Sequence, residues 1–319
     1  MHAYQITDYD SPASLTDVPA PNPGPGEVLM DIAACGLNFA DLLMQKGQYQ
    51  ERPPLPLTLG MEPAGTISAL GEGVTGLEIG TRIACFTSEG GLAEKGVFTA
   101  DRCVALPANM SFQDAAAFQI AYGTSHVALD HKAGLRAGET LLVLGAAGGV
   151  GLTAVEIGKL MGATVIACAR GADKLAVCKA AGADHLIDST TDDIREAVKA
   201  LGGADVVYDA VGGDQFKAAL RACNPEARMI IVGFASGEVP QIPANHLLVK
   251  NINVLGFYWG GYLNFRPDVL TDSLRTLLHW YEDGRLHPHV SHTLPLEDAD
   301  KAYDLLRARK STGKVVVTM

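Results

Sequence analysis

The stretch LLVLGAAGGVGLTAVEIGKL (141–160) decides the fold. It begins as an apolar run typical of a buried strand, passes through a glycine-rich turn and continues at once as a helix with an apolar face. Gly148 and Gly151 match the dinucleotide fingerprint G-x-G-x-x-G, in which Ala146 replaces the first glycine. Such a turn lets backbone approach a pyrophosphate, and the helix N-terminus points N–H groups at it. We therefore expect a dinucleotide here; the alternative is a turn that only packs. The predicted contact residues are Ala147, Gly148, Gly149, Val150 and Gly151.

The end of the next predicted strand, TVIACAR (164–170), indicates which dinucleotide binds. NAD-binding proteins place an Asp or Glu there to bind the ribose 2′-hydroxyl. This chain has Ala169 and Arg170 instead, with Lys174 one helical turn further. Because guanidinium and ammonium groups bind a 2′-phosphate, the sequence predicts NADPH at Arg170 and Lys174. The alternative is that both are solvated surface charges, and the nearby Asp173 weakens the case for NADPH slightly.

Strand-like and helix-like segments alternate from about residue 120, which is typical of a parallel sheet with helices on both faces. The first 118 residues or so are instead rich in Pro and Gly, with short apolar runs such as GVFTADRCVAL (96–106). The closing KVVVTM can return to that part as a strand. We expect the α/β class, with a doubly wound parallel sheet inserted into a small β-barrel domain. The expected boundaries are 120–258 for the sheet domain, and 1–119 completed by 259–319 for the barrel domain.

Composition and charge exclude several classes of protein. Of 319 residues, 36 are acidic and 25 basic, and a net charge of −11 repels a nucleic-acid backbone. No apolar run reaches the ~18 residues that span a bilayer, and the first residues lack the basic and apolar regions of a signal peptide. Six scattered cysteines without a CxxC motif indicate buried thiols in a reducing compartment. We therefore expect a cytoplasmic protein with neither a nucleic-acid nor a membrane partner.

Further motifs carry a resemblance to a known family. GAAGGVG and the spacing of GATVIACARGADKLAVCKAAGAD resemble the medium-chain dehydrogenase/reductase superfamily. CGLNFADLLMQKGQY and LGMEPAGTISALGEGVTGLEIGTRIA resemble its zinc-independent NADPH:quinone oxidoreductase branch, the zeta-crystallin-like proteins. The resemblance covers essentially the whole chain. It implies a Rossmann domain inserted into a GroES-like catalytic domain, NADPH as cofactor and a homodimer.

The resemblance also implies a site without zinc. Zinc-dependent relatives have metal ligands where this chain has Asn38, Met61 and Ala121, and Glu62 alone cannot hold zinc. The histidines of LHPHVSHTL (286–294) have no Cys or carboxylate close by, so we expect no metal there. Without a Lewis acid to polarise a carbonyl oxygen, a quinone is the favoured hydride acceptor.

The resemblance implies further site residues, each with a structural alternative. Asn38 is expected near the nicotinamide ribose and the substrate, or as a helix N-cap. Tyr49 is expected against the nicotinamide, as a proton or hydrogen-bond donor, or as a packing aromatic. Thr124 is expected near the nicotinamide, or as a helix-start hydroxyl; Lys314 at a phosphate, or solvated. Asp41 is expected to be structural rather than a base. The other expected cofactor contacts, which could instead be core or interface packing, are Gly233, Phe234, Gly256 and Phe257.

These patterns together predict an NADPH-dependent, zinc-free oxidoreductase that transfers a hydride to a quinone. Asn38 and Tyr49 would orient the acceptor and stabilise its developing oxyanion. In the first alternative the acceptor is an enone or enoyl thioester, and Tyr49 protonates its α-carbon. The second alternative is a non-catalytic NADPH-binding protein.

Overall fold

The computed structural model describes residues 1–9 and 11–319. Its strands, in chain order, are β1 (His2–Ile6), β2 (Ser14–Asp17), β3 (Glu27–Gly36), β4 (Leu57–Thr58), β5 (Glu62–Leu70), β6 (Arg82–Cys85), β7 (Lys95–Thr99), β8 (Cys103–Ala105), β9 (Thr140–Leu144), β10 (Thr164–Ala169), β11 (His185–Asp188), β12 (Ala204–Asp209), β13 (Cys223–Ile231), β14 (Asn253–Gly256), β15 (Val290–Pro295) and β16 (Lys314–Thr318). Its α-helices are α1 (Phe39–Met44), α2 (Phe112–Ala116), α3 (Gln119–His126), α4 (Gly149–Leu160), α5 (Ala172–Ala180), α6 (Ile194–Ala200), α7 (Gly213–Ala222), α8 (Ala244–Lys250), α9 (Tyr262–Phe265), α10 (Pro267–Glu282) and α11 (Ala299–Arg307). None of these helices combines the length and the apolar composition needed to cross a lipid bilayer.

The chain divides into two compact units. Unit 1 comprises Met1–Ile120 and His287–Met319, and unit 2 comprises Ala121–Leu286. Unit 2 is therefore a continuous segment inserted into a discontinuous one.

Unit 2 contains a parallel six-stranded sheet in the order β11-β10-β9-β12-β13-β14. Chain order runs outward in both directions from the β9–β12 pair, so the topological switch point lies between these two strands. Leu142, Ile166 and Val207, one from each of the three central strands, are fully buried together with Phe216 of α7. The predicted doubly wound parallel sheet is confirmed.

Unit 1 is mainly antiparallel. Its larger sheet has the order β15-β16-β3-β5-β6-β8, with β7 also paired to β3, and a smaller sheet has the order β2-β1-β4. Alternate residues of β3, Val28, Met30 and Ile32, point into a buried cluster. β16 pairs with β3, placing Val316 opposite Gly36, so the predicted return of KVVVTM to the β-rich part is confirmed.

The chain returns to unit 1 at His287, later than the predicted boundary at 259. Helix α10 stays with unit 2 because Ser273 Oγ lies 2.9 Å from Nδ1 of the buried His126. Trp280, also on α10, packs edge-on against the same imidazole. Burial lowers the pKa of His126 and so favours a neutral ring, which shares one hydrogen bond with the Ser273 hydroxyl.

The apolar run 96–106 forms two strands, β7 and β8. A 3-10 turn at Ala100–Arg102 separates β7 from β8, and the Ala100 N–H donates to the Gly26 carbonyl at 3.0 Å. β7 pairs with β3, whereas β8 pairs with β6. The turn therefore carries the chain from pairing with β3 to pairing with β6.

Candidate active site

The glycine turn of unit 2 has the geometry of an anion site. α4 begins at Gly149, and its N-cap Gly148 has no side chain to bond the first helical N–H groups. A Cβ at Gly151 would lie 2.2 Å from the carbonyl oxygen of Gly145, so only glycine fits where the helix crosses the turn. The predicted contact residues 147–151 therefore surround an uncapped helix N-terminus, which fits a pyrophosphate.

A buried hydroxyl network, which sequence analysis did not identify, holds α3 against this turn. Ser125 Oγ donates to the Val150 carbonyl at 2.8 Å, and it lies 2.8 Å from Thr153 Oγ1 and 3.1 Å from the Tyr208 hydroxyl. Burial raises the pKa of Tyr208, so its phenol stays neutral and able to donate. The network positions the adjacent Thr124, which is buried. The only sequence signal of this hydroxyl network is the pair of adjacent hydroxyl residues within YGTSH.

Asp209, at the carboxyl end of β12, places a carboxyl group at the switch point. Its Oδ1 accepts hydrogen bonds from the N–H groups of Val211 at 2.8 Å and Gly212 at 2.9 Å. Its Oδ2 is buried and has no hydrogen-bond partner within the described ranges. Burial raises the pKa of this carboxyl group. The sequence DVVYDAVG does contain a signal for Asp209: an acidic residue directly at the end of a predicted buried strand.

The two cations predicted for a 2′-phosphate lie in the loop after β10 and at the start of α5. Arg170 is exposed, and Lys174 is half-buried in the first helical turn. Among residues 1–9 and 11–319, Arg170 makes no hydrogen bond or ion pair, so its guanidinium is available to an anion.

A carboxylate that sequence analysis did not consider lies beside this loop. Asp188 ends β11 and is in register with Ala169. Its Oδ1 accepts hydrogen bonds from the Thr190 N–H at 3.0 Å, the Thr190 hydroxyl at 2.7 Å and the Gly171 N–H at 3.1 Å. These bonds lower the pKa of Asp188, which is therefore ionised. Asp188 shapes the loop, and its negative charge reduces the electrostatic advantage of a 2′-phosphate there.

The ends of β13 and β14 lie at the same edge of the sheet as the glycine turn, because all six strands are parallel. Gly233 and Phe234 follow β13, and the Gly233 N–H donates to the Asp209 carbonyl at 3.3 Å. Gly256 ends β14, and the next residue, Phe257, has its ring 5.9 Å from that of Tyr262. Phe257 therefore has the packing contact that was the alternative to its cofactor role.

Unit 1 brings Asn38, Glu62 and Lys314 into one cluster. Lys314 Nζ donates to Glu62 Oε2 at 2.8 Å and to Asn38 Oδ1 at 2.7 Å. Asn38 Nδ2 donates to Glu62 Oε2 at 3.2 Å, and Glu62 Oε1 accepts from the Ile120 N–H at 2.9 Å. Glu62 is 0% exposed and Lys314 5%, so each charge is desolvated and depends on the other.

This cluster changes the expectations for Lys314 and Asn38. The solvated alternative for Lys314 is wrong, because its ammonium is buried and bonded twice; one N–H remains, and the phosphate contact stays a prediction. Asn38 is the N-cap of α1, and its Nδ2 faces the Gly36 carbonyl at 3.4 Å as well as Glu62. Since both amide N–H groups are engaged, Asn38 offers a ligand only an acceptor.

Asp41, in the first turn of α1, has a structural role. Its Oδ2 accepts a hydrogen bond from the Asn38 N–H at 2.7 Å, which fixes the start of the helix. Its Oδ1 is buried without a partner in the described part of the chain. Burial raises the pKa of Asp41 to about 7.

Tyr49 lies in the loop that follows α1 and is half-buried. Of the two predicted catalytic residues, Tyr49 carries a hydroxyl group, whereas the amide N–H groups of Asn38 are already engaged. The role of Tyr49, as a proton donor or as a hydrogen-bond donor, stays a prediction.

The implied zinc-ligand positions carry side chains unsuited to zinc. Met61 and Ala121 are buried apolar residues, and Asn38 bonds Lys314. No three His, Cys, Asp or Glu side chains within 1–9 and 11–319 are grouped to hold a metal ion. The carboxylate of Glu62 is neutralised by an ammonium group instead.

Comparison with known proteins assigns the chain to a family. Residues 24–108 match the model described as alcohol dehydrogenase GroES-like domain, and residues 149–278 match zinc-binding dehydrogenase. The quinone oxidoreductase-like protein 2 homolog of Nematostella vectensis is 41% identical over 302 residues, which cover 93% of this chain and 82% of that protein. This chain belongs to the medium-chain dehydrogenase/reductase family, in its quinone oxidoreductase type. The predicted family and fold class are confirmed.

The proteins that are similar to this chain carry names of different functional kinds. The quinone oxidoreductase of Thermus thermophilus, solved also in complex with NADPH, is 34% identical with a TM-score of 0.89, and the match covers 100% of both chains. The human synaptic vesicle membrane protein VAT-1 homolog is 31% identical over 315 residues, which cover 93% of this chain and 80% of that protein. Membership of the family therefore leaves the substrate open.

Proposed function

We propose that this medium-chain reductase oxidises NADPH and passes the hydride to a quinone. The observation that carries the proposal is the glycine turn beside the switch point. There the helix N-terminus is uncapped and Gly151 leaves no room for a Cβ, a geometry that fits a pyrophosphate. NADPH, when bound, supplies the hydride. The NADPH complex of the related T. thermophilus quinone oxidoreductase supports this choice.

Apart from Lys314 of unit 1, the residues proposed to hold NADPH lie near the carboxyl edge of the parallel sheet in unit 2. Backbone N–H groups of residues 147–151 would bind the pyrophosphate, while Arg170 and Lys174 would bind the 2′-phosphate. The hydroxyl network at Ser125 keeps α3 in place and so fixes Thr124. The contacts proposed for the rest of the cofactor are Thr124, Gly233, Phe234, Gly256, Phe257 and Lys314.

We propose different roles for the two predicted catalytic residues. Asn38, held by Lys314 and Glu62, presents a carbonyl oxygen, which can orient a hydroxyl group but cannot stabilise an oxyanion. Stabilisation of the developing oxyanion therefore falls to the hydroxyl of Tyr49. A quinone needs little of this stabilisation, because its negative charge delocalises over the ring as the hydride arrives.

An acceptor screen tests the proposal. Quinones, enones and enoyl thioesters are compared side by side by the loss of NADPH absorbance, with NADH as the control cofactor. We expect the fastest turnover with a quinone and NADPH. Equal rates with NADH would contradict the assignment of Arg170, and tight NADPH binding without turnover would favour the non-catalytic alternative.

The enone alternative is supported by Tyr49, because a phenol can protonate a substrate carbon. Tyr49→Phe separates the two reactions. Quinone reduction should fall only a few-fold in this variant, whereas loss of a general acid costs roughly 100-fold or more. Tyr9→Phe, a change in an exposed tyrosine of the same unit, is the matched control.

The homodimer remains a proposal, supported by the surface of unit 2. β14 is an edge strand of the parallel sheet, and nearby Leu248 and Val249 on α8 are 78% and 76% exposed. An apolar surface next to an open strand edge favours pairing with a second copy. Sedimentation should show a dimer that Leu248→Glu dissociates, and a monomeric wild type would refute the proposal.

A further inference from the structure

Cys85 and Cys103 face each other across neighbouring antiparallel strands. They are register partners in β6 and β8. The Leu106 N–H donates to the Arg82 carbonyl at 2.9 Å, so these two opposite residues form a hydrogen-bonded pair. Hydrogen-bonded and non-hydrogen-bonded pairs alternate along antiparallel strands. Three positions further along, Cys85 and Cys103 therefore form a non-hydrogen-bonded pair. The Cα atoms of such pairs are about 4.5 Å apart, which lies within the range of about 4.4–6.8 Å that a disulfide spans.

The two thiols also share their surroundings. Both side chains pack against the buried cluster that contains Ile83 and Phe98. Side chains of directly opposite residues lie on the same face of a sheet, so the two thiols are neighbours. The other four cysteines have no cysteine opposite them in the registers of the described strands. All six are thiols, and strand register places Cys85 and Cys103 directly opposite each other.

A small reagent can approach this pair. Cys103 is half-buried, contrary to the expectation that all six thiols are buried. Cys85 is fully buried against protein but lines a cavity of about 360 Å³, with Thr58, Thr87 and Arg102 among the other lining residues. The neighbouring Cys103 thiol and then burial raise the pKa of Cys85. Cys103 is the more exposed of the two thiols, so it is the one that a reagent in solution reaches first.

We propose that Cys85 and Cys103 form a thiol–disulfide exchange site for a low-molecular-weight disulfide of the glutathione type. The Cys103 thiolate attacks one sulfur of that disulfide, forms a mixed disulfide and releases one thiolate, which takes up a proton. Cys85 then loses its proton to solvent and attacks Cys103 Sγ, which expels the second small thiol. Two protein thiols are thereby oxidised to one disulfide while the small disulfide is reduced to two thiols, and no other reactant is needed.

The test uses the whole protein equilibrated with oxidised glutathione, quenched with acid, alkylated and mapped by mass spectrometry of its peptides. The wild type should yield a peptide pair joined through Cys85 and Cys103, with two hydrogens fewer and no glutathione, and dithiothreitol should restore both thiols. Cys85→Ser should retain glutathione on Cys103, because the resolving thiol is missing. Cys103→Ser should give neither product.

Cys178→Ser is the matched control, since it removes a thiol in unit 2 and should leave the joined peptides unchanged. Mapping of the wild type needs no variant to fold and therefore decides the matter by itself. Glutathione retained stably on wild-type Cys103, or two free thiols after equilibration with excess oxidised glutathione, would overturn the proposal.

Discussion

Each of the two units holds one candidate site, and the two sites are built from different materials. In unit 2 the proposed pyrophosphate site consists of backbone: a turn of consecutive residues, an uncapped helix N-terminus and a glycine at a close contact. In unit 1 the site is made of side chains from separate elements, with Lys314 of β16 bonded to Glu62 of β5 and to Asn38 before α1. A backbone site depends on local geometry, whereas the side-chain site depends on the packing of strands that are remote in sequence.

The largest effect should come from breaking the buried ion pair of unit 1. Lys314→Met leaves the carboxylate of Glu62 buried without its cation, so we expect the free energy of unfolding to fall by about 3–5 kcal/mol. Urea denaturation measures this loss. Lys310→Met, a change at an exposed lysine of the same unit, is the control; equal stability of the two variants would show that the pair contributes little.

Asp41 should make the stability of unit 1 depend on pH. Burial raises its pKa from 3.8 to about 7, and the nearby Glu62 also favours the protonated form, whereas Lys314 and the Asn38 N–H favour the ionised one. Because the folded state holds this proton more tightly, its contribution to stability is complete below about pH 4 and is lost as the pH rises to about 7.

Asp41→Asn should remove this dependence. The difference in free energy of unfolding between the wild type and the variant should therefore change between pH 4 and 7, by at most about 1.4 kcal/mol per pH unit. Urea denaturation across that range measures it. Asp101→Asn, at an exposed position of the same unit, is the control. A constant difference across the range would contradict a raised pKa.

Arg170→Ala tests the part of the unit 2 site that depends on a side chain. Charge-assisted hydrogen bonds contribute about 1.5–3 kcal/mol, so the Kd for NADPH should rise roughly 10- to 100-fold while that for NADH stays constant. Titration of cofactor fluorescence measures both constants. Arg221→Ala, in an exposed part of α7, is the control. Equal weakening of both cofactors would indicate that Arg170 does not contact the 2′-phosphate.

Gly151→Ala tests the part that depends on backbone. The added Cβ would lie 2.2 Å from the Gly145 carbonyl oxygen, and such overpacking costs about 1–3 kcal/mol of stability. Thermal unfolding without cofactor measures the loss. Gly256→Ala adds a Cβ with no heavy atom within 4 Å and should leave stability unchanged. If the two variants melt together, the turn is more adaptable than its contacts indicate.

The sequence was sufficient to predict the fold and the glycine turn that precedes α4. The period of apolar residues distinguishes strands from helices. Gly148 and Gly151 lie within one short stretch of sequence, so their spacing can be read directly from it. The return of the chain to unit 1 at His287 was not predictable, because the bond between His126 and Ser273 that keeps α10 in unit 2 has no local signature.

The side-chain cluster of unit 1 was predictable only as separate residues. Asn38 and Lys314 were identified through the family resemblance, but their bond to each other and to Glu62 depends on strand pairing between the two ends of unit 1. The role of Asp188 was missed for the same reason, because it reaches the loop after β10 through the register of neighbouring strands.

The position of β16 has a consequence for synthesis on the ribosome. β16 lies between β15 and β3 in the larger sheet, so the sheet cannot close until residues 314–318 have left the exit tunnel. Unit 2 is continuous and will be complete while Glu62 still lacks its cation. We expect nascent chains stalled before residue 314 to resist proteolysis within 121–286 and to be cleaved within 1–120. Emergence of β16 from the tunnel would then complete both the sheet and the ion pair in one step.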